Sequence, residues 1–206
     1  MHTRTPTSLP TALILAAGSS SRLGRSKQLL VIDGEPLLSR TIRVFRESGI
    51  EKICIVLGAN EETHRRVIPP EVTDIIVNRL WPRGMGTSIR AGMKYLMRRD
   101  PDTDSVIIAV CDQPLLSTQV IRSIIEKYRS THLPIVAARY ANTNGVPVLF
   151  NRSHFEGLLA LPDDQGARRI LLQHPDDIAV VAFRGGELDL DTPDDYANFL
   201  KNTPET

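Results

Sequence analysis

Three stretches of this sequence carry side chains suited to handling charge. The first is "LILAAGSSSRLGRSK", Leu13 to Lys27: an apolar run opens into small residues and ends on Arg22, Arg25 and Lys27. A loop rich in backbone N–H donors with fixed cations at its end is what a phosphate chain requires. The second is "VCDQPLL", where Asp112 follows an apolar run. A carboxylate at a strand end beside phosphates is a natural ligand for Mg²⁺, which takes one or two carboxylates plus phosphate oxygens. The third is "LDLDTPDDY". Alternation predicts a short strand with Asp189 and Asp191 on one face, where two carboxylates repel unless a cation or donor set answers them. Each stretch also has an ordinary reading: a solvated loop with surface cations, a turn or capping aspartate, an acidic surface. Asp194 and Asp195 follow Pro193 and read as acids of a helix first turn.

Two glycine-bearing stretches add candidates. "NRLWPRGMGTSIRAG" places Gly84 and Gly86 before a helix, so backbone N–H groups and Ser88 could meet a base or ribose; equally, the glycines could simply form turns. In "GVPVLF", Gly145 sits where a bulky group could approach a strand closely. Several sites are excluded. Gly18 and Gly24 stand one residue too far apart for a Walker A loop, no dinucleotide fingerprint is present, and G-x-S-x-G is absent. The histidines at 2, 64, 132, 154 and 174 show no i, i+4 pair and no cysteine partner, so no zinc-type spacing exists.

The elements that must position these residues alternate between two textures. "TALILA" (11–16), "KICIVLG" (52–58), "TDIIVN" (73–78) and "SVIIAV" (105–110) are short, apolar and β-branched, as in strands of a parallel sheet buried on both faces. Between them, Leu37, Leu38, Thr41, Ile42 and Phe45 recur at helical spacing. So do Ile89, Met93, Leu96 and Met97, and then Val120, Ile121, Ile124, Ile125 and Tyr128. Ser117 and Pro193 read as helix starts. Further on, "PIVAARY" and "GVPVLF" predict strands joined by the turn "ANTN". "SHFEGLLAL" predicts a short helix, "DIAVVAF" another strand, and the chain closes on a helix. The expectation is one α/β domain over residues 11–201 with three layers and a mixed sheet, preceded by a loose polar tail over 1–10. In such sheets ligands sit beyond the carboxyl ends of the strands, where the loop after Ala16 and Asp112 both emerge.

Composition sets outer bounds. With 206 residues, 41% hydrophobic and 24% charged, the chain is of ordinary globular composition. A net charge of +1 gives no field that would argue for nucleic acid or membrane, so any anion site is local. Cys54 and Cys111 sit in apolar runs and are expected to be reduced and buried, in a cytoplasmic protein without a signal segment or membrane span.

Taken together and in order, "LAAGSSSRLGRSK", "CDQP", "GVPV" and "DLDTPDDY" resemble the MobA-like nucleotidyltransferases, most closely their molybdenum cofactor cytidylyltransferase branch. The resemblance runs from Thr11 to about Leu200. It implies a three-layer Rossmann-like nucleotidyltransferase fold with a mostly parallel mixed sheet, a nucleoside triphosphate and Mg²⁺. It places nucleotide contacts on Leu15, Ala16, Ala17, Gly18, Ser19, Ser20, Ser21, Gly86 and Ser88. Arg22, Lys27 and Asp112 would act in catalysis, Asp112 with Asp191 or Asp189 would hold the metal, and Gln113 and Gly145 would meet the acceptor. Three departures stand out: Leu23 replaces the usual Met, Cys111 stands where relatives often carry Gly, and "LAAG" differs from the "LAGG" of guanylyl-transferring relatives, which favours CTP. The implied reaction is transfer of CMP from CTP to the terminal phosphate of a pterin-type cofactor. The implied partners are that acceptor and a molybdoenzyme, with no nucleic acid and no membrane. Other readings stay open: a sugar or polyol phosphate acceptor, a non-catalytic carrier for a molybdoenzyme, and an oxidoreductase of the same family.

Overall fold

The structure is a computed structural model that describes residues 8–202, the side chains of Arg22 and Asn202 excepted; most of the tail expected over 1–10 lies outside it. Seven strands form one sheet: β1 (Thr11–Ala16), β4 (Ile53–Leu57), β5 (Asp74–Val77), β6 (Ser105–Val110), β7 (Ile135–Tyr140), β8 (Thr143–Asn151) and β9 (Ile178–Ala182). Their spatial order is β5-β4-β1-β6-β8-β7-β9, and β8 alone runs against its neighbours. A two-residue ladder, β2 (Val31–Ile32) with β3 (Glu35–Pro36), stands apart.

The central strands form where both faces are apolar. Ala12, Ile14 and Ala16 of β1 pack with α1 (Leu37–Glu47) and α4 (Thr118–Thr131), whereas Leu13 and Leu15 face α3 (Met85–Arg99), α5 (Phe155–Leu159) and α6 (Arg168–Gln173). This gives three layers, each helix burying the stripe its spacing predicts. Gly92 of α3 lets that helix close on the sheet: an added Cβ would lie 2.4 Å from Leu13. Ser117 caps α4, accepting from the Val120 N–H. The turn between β7 and β8 is Ala141–Asn142, both at positive φ, as a two-residue type I′ connection requires.

A smaller core lies at one end. Leu23, Leu30, Ile32 and Leu37 pack there with Leu190 and with Phe199 of α7 (Pro193–Asn202). α7 begins in a reciprocal cap, Thr192 and Asp195 each bonding the other's backbone N–H. This cluster fastens the loop after β1 to the C-terminal segment. One expectation is corrected here: residues 188–191 are not a strand but irregular chain. Alternation of Asp and Leu mimics a strand period. What actually orders the segment is Leu190, fully buried in the small core, a contact that contributes ~1.5–3 kcal/mol.

Candidate functional site

Leu15 of β1 pairs with Val56 on one side and Val110 on the other, so three strands end at the same edge of the sheet. Beyond that edge lies a pocket of about 320 Å³. Its wall takes Leu15, Ala17, Gly18, Ser20 and Ser21 from β1 and its loop, and Lys27 and Gln28 from the loop's end. Trp81 and Gly84 come from the approach to α3, and Met85 and Ser88 from its first turn. Val110, Cys111 and Asp112 follow β6, and Asp191 comes from the C-terminal segment.

At one end of the pocket Lys27 stands between two carboxylates. Its Nζ donates to Asp112 Oδ2 at 3.2 Å and also to Asp191 Oδ1. Burial pulls the Lys27 ammonium's pKa down, but the hydrogen bond to Asp191 and the charge and hydrogen bond of Asp112 outweigh it and leave it raised. Asp189 is exposed and absent from the pocket wall. Of the two candidates for a second metal carboxylate, Asp191 is therefore the one that converges with Asp112. Two carboxylates that converge on one point are a donor set that suits a divalent ion. No group of three or more His, Cys, Asp or Glu side chains among the described residues could hold a metal ion, so further oxygens would have to come from phosphate and water.

The loop after β1 is held from beneath. Gln28 is buried, and its Nε2 donates to the carbonyls of Ala16 and Gly18, both at 3.1 Å. The two bonds anchor the start of the loop to a buried side chain. Ser20 adopts φ 55, a left-handed conformation costly for a residue with a Cβ. Its hydroxyl stabilises the turn by accepting from the Lys27 N–H at 3.0 Å. Gln28 carried no signal in the sequence: a glutamine in "SKQLL" looks like any surface polar residue.

The remaining sequence candidates separate. Ala16 turns its side chain into the core away from the pocket, and neither it nor Ser19 is on the pocket wall. Arg25 stacks over the Tyr196 ring, 4.8 Å from its centroid, which commits this cation to α7. The Arg22 side chain lies outside the described residues. Ser88 is on the wall, its oxygen accepting from Asn78 at 3.0 Å. Gly86 is not on the wall. A Cβ there would meet Pro162 O at 1.9 Å, and its N–H donates to Asp163 O at 2.9 Å. Gly84, at φ 127, packs closely on Asp163, whose O would lie 2.4 Å from an added Cβ. Arg90 and Arg83 fix that segment through the Asp163 carboxylate and hold its pKa below the usual range. Gly145 does admit a bulky group, but the group is the protein's own Tyr140, whose hydroxyl would lie 2.2 Å from an added Cβ. Gln113 is buried and ties Val146 O to Gly186 O, at 3.2 and 2.8 Å. Cys54 and Cys111 are free and buried, and burial pushes both thiols far up, toward the neutral form.

A mostly parallel α/β sheet with a small-residue loop, a lysine and a strand-end aspartate around one pocket defines a Rossmann-like fold with a ligand site at the carboxyl edge of its strands. Residues 12–178 match the model of the MobA-like NTP transferase domain, and the chain belongs to that family. It is 31% identical to the nicotine blue oxidoreductase of Paenarthrobacter nicotinovorans over 82% of this chain and 85% of that one. It is 25% identical to the purine catabolism protein PucB of Bacillus subtilis, over 89% and 92%. Among curated relatives it also matches the bifunctional protein GlmU of Nitrosomonas europaea, at 29% identity, but spans only 29% of that protein's length. Among solved structures, Rv0371c of Mycobacterium tuberculosis H37Rv superposes with TM-score 0.81 at 29% identity, over 95% of this chain and all of that one. The manganese complex of that protein gives 0.78 at 28%, over the same shares. A nucleotidyl transferase from Methanothermobacter thermautotroptrophicus shares the fold, with TM-score 0.73 at 18% identity over 94% of this chain and 98% of that one. No helix among the described residues is long and apolar enough to cross a membrane.

Proposed function

We propose that this protein transfers CMP from CTP to the terminal phosphate of a molybdopterin-type cofactor and releases pyrophosphate. The observation that carries the reading is the convergence of Asp112, Lys27 and Asp191 at one end of a pocket walled by the loop after β1. The triphosphate lies along Ala17 to Ser21, the base and ribose toward Trp81, Met85 and Ser88. With its oxygen already accepting from Asn78, the Ser88 hydroxyl is offered as a donor. Ala17 lines the pocket, and its place in "LAAG", against the "LAGG" of guanylyl-transferring relatives, supports CTP over GTP.

An oxygen of the acceptor phosphate attacks the α-phosphorus. A new P–O bond forms, the bond to the β-phosphate bridge breaks, and pyrophosphate carries off the electron pair. A phosphate monoester is largely dianionic at neutral pH, its second pKa being about 6, so no general base is needed. Alignment and charge neutralisation are what the chain must supply. Lys27 meets the charge that builds on the α-phosphate, and Arg22, at the turn of the loop, serves the leaving pyrophosphate. Asp112 and Asp191 would hold Mg²⁺ or Mn²⁺, which supplies charge neutralisation across the phosphates when bound. The protein works in the cytoplasm and hands its product to a molybdoenzyme.

The test is pyrophosphate release from each of the common nucleoside triphosphates, with Mg²⁺ and with pterin, sugar and polyol phosphates as acceptors. The reading expects CTP with the pterin acceptor to give the highest kcat/KM. Turnover with a sugar or polyol phosphate alone would reassign the acceptor. No pyrophosphate with any pair would leave the carrier or oxidoreductase alternatives.

A further inference from the structure

Lys27 is placed where a metal ion would sit. Its ammonium is hydrogen-bonded to one oxygen of Asp112 and one of Asp191, and the three side chains are 15%, 27% and 25% exposed. The single charge of an ammonium matches half the charge of two carboxylates. A divalent ion sharing the same oxygens would neutralise all of it, but it binds them at about 2.0–2.1 Å, which leaves no room for the ammonium between them. The two cations therefore compete for one place.

We propose that Lys27 is the resting occupant of the cation site: it holds Asp112 and Asp191 together in the free protein and gives way when nucleotide and metal arrive together. The proposal rests on the nucleotidyltransferase reading above. Metal alone must evict the ammonium with nothing to receive it. A triphosphate changes this, because it brings negative charge to the same end of the pocket and gives Lys27 a new partner. The exchange needs only the side chain. The backbone at this point is fixed by the Lys27 N–H on Ser20 Oγ at 3.0 Å and by the neighbouring Gln28 clamp on Ala16 and Gly18. Lys27 has a flexible four-carbon stem, so Nζ can swing while the loop stays. The same residue thus positions the carboxylates first and meets phosphate afterwards. Metal binding becomes conditional on nucleotide, and an unproductive metal-loaded protein is avoided.

The experiment is a Mn²⁺ titration of the folded protein without nucleotide, read by the electron paramagnetic resonance of free Mn²⁺. Wild type should bind weakly. Lys27→Met, which removes the competing charge, should bind Mn²⁺ at least tenfold more tightly, and Lys27→Gln should do the same if the methionine variant fails to fold. Lys27→Arg keeps the charge and should stay as weak as wild type. Adding CTP should tighten Mn²⁺ binding far more in wild type than in Lys27→Met. A merely structural lysine predicts the opposite sign, since its loss would scatter the carboxylates. No gain in Lys27→Met and Lys27→Gln would overturn the proposal. So would an equal gain in Arg83→Met, a charge removed off the pocket wall, because a general field effect would then suffice. These titrations need no turnover. If wild type makes no pyrophosphate, the functional reading falls while the Mn²⁺ result still decides the role of Lys27.

Discussion

Two glycine-bearing loops border the same pocket, and their glycines are there for opposite reasons. Around Gly18 and Gly24, in the loop after β1, an added Cβ would meet nothing within 4 Å. At Gly84, which caps α3, and at Gly86, in the helix's first turn, it would strike the backbone of the segment 162–165 at 2.4 and 1.9 Å. The first loop keeps open space on its surface and is held from below by Gln28 and Ser20. The second is already filled by the protein. A glycine in a sequence announces that something comes close or that the backbone bends, but not whether the neighbour is a ligand or another part of the chain.

The contrast can be broken experimentally, beginning with the largest effect. Gly86→Ala should destabilise the fold by about 3 kcal/mol, because overpacking against fixed backbone has no soft partner to yield. Chemical denaturation measures this, and a loss under about 1 kcal/mol would mean that the segment at Pro162 is free to move. Lys27→Ala should lower kcat by about 100-fold, with a smaller rise in KM, by analogy with losing one preorganised donor. Steady-state pyrophosphate release measures it, and an effect on KM alone would confine Lys27 to ground-state binding. Gly18→Ala should leave stability within about 0.5 kcal/mol and yet weaken triphosphate binding about tenfold, by putting a methyl on the open face of the loop. Unchanged affinity in a titration calorimeter would remove Gly18 from the phosphate path. The smallest effect is expected at Ala17. Ala17→Gly should narrow the preference for CTP over GTP by about 1 kcal/mol, measured as the ratio of kcat/KM values.

Much of the fold was legible in the sequence, for a plain reason. β1 and β6 run Thr11–Ala16 and Ser105–Val110, the bounds predicted for them, because strands buried on both faces read as near-continuous apolar runs. The stripes of α1, α3 and α4 were equally clear. The short helices α2 (Glu61–Arg65) and α6 escaped notice because their five or six residues show little period, whereas α5, equally short, sits in the apolar stretch "SHFEGLLAL". Asp112 was legible as a carboxylate delivered by a strand. Asp191 was legible only as one of a pair, and its choice over Asp189 depended on Leu190 being drawn into a core made with Leu23 and Phe199, a long-range contact. Gln28 was invisible because its role is to satisfy backbone carbonyls, and a carbonyl leaves no trace in residue types. At Gly145 the close neighbour is Tyr140, across the hairpin of β7 and β8, a contact that the residue types alone do not announce.

The central claim is that Asp112, Lys27 and Asp191 form the reacting end of the pocket while Asp189 stands outside it. It is tested most directly by pyrophosphate release from CTP in three variants that each keep shape and remove one charge: Asp112→Asn, Asp191→Asn and Asp189→Asn. The account predicts at least about 100-fold loss of kcat in the first two and a rate within about twofold of wild type in the third. Wild-type turnover in Asp112→Asn, or a loss in Asp189→Asn equal to that in Asp191→Asn, would contradict it.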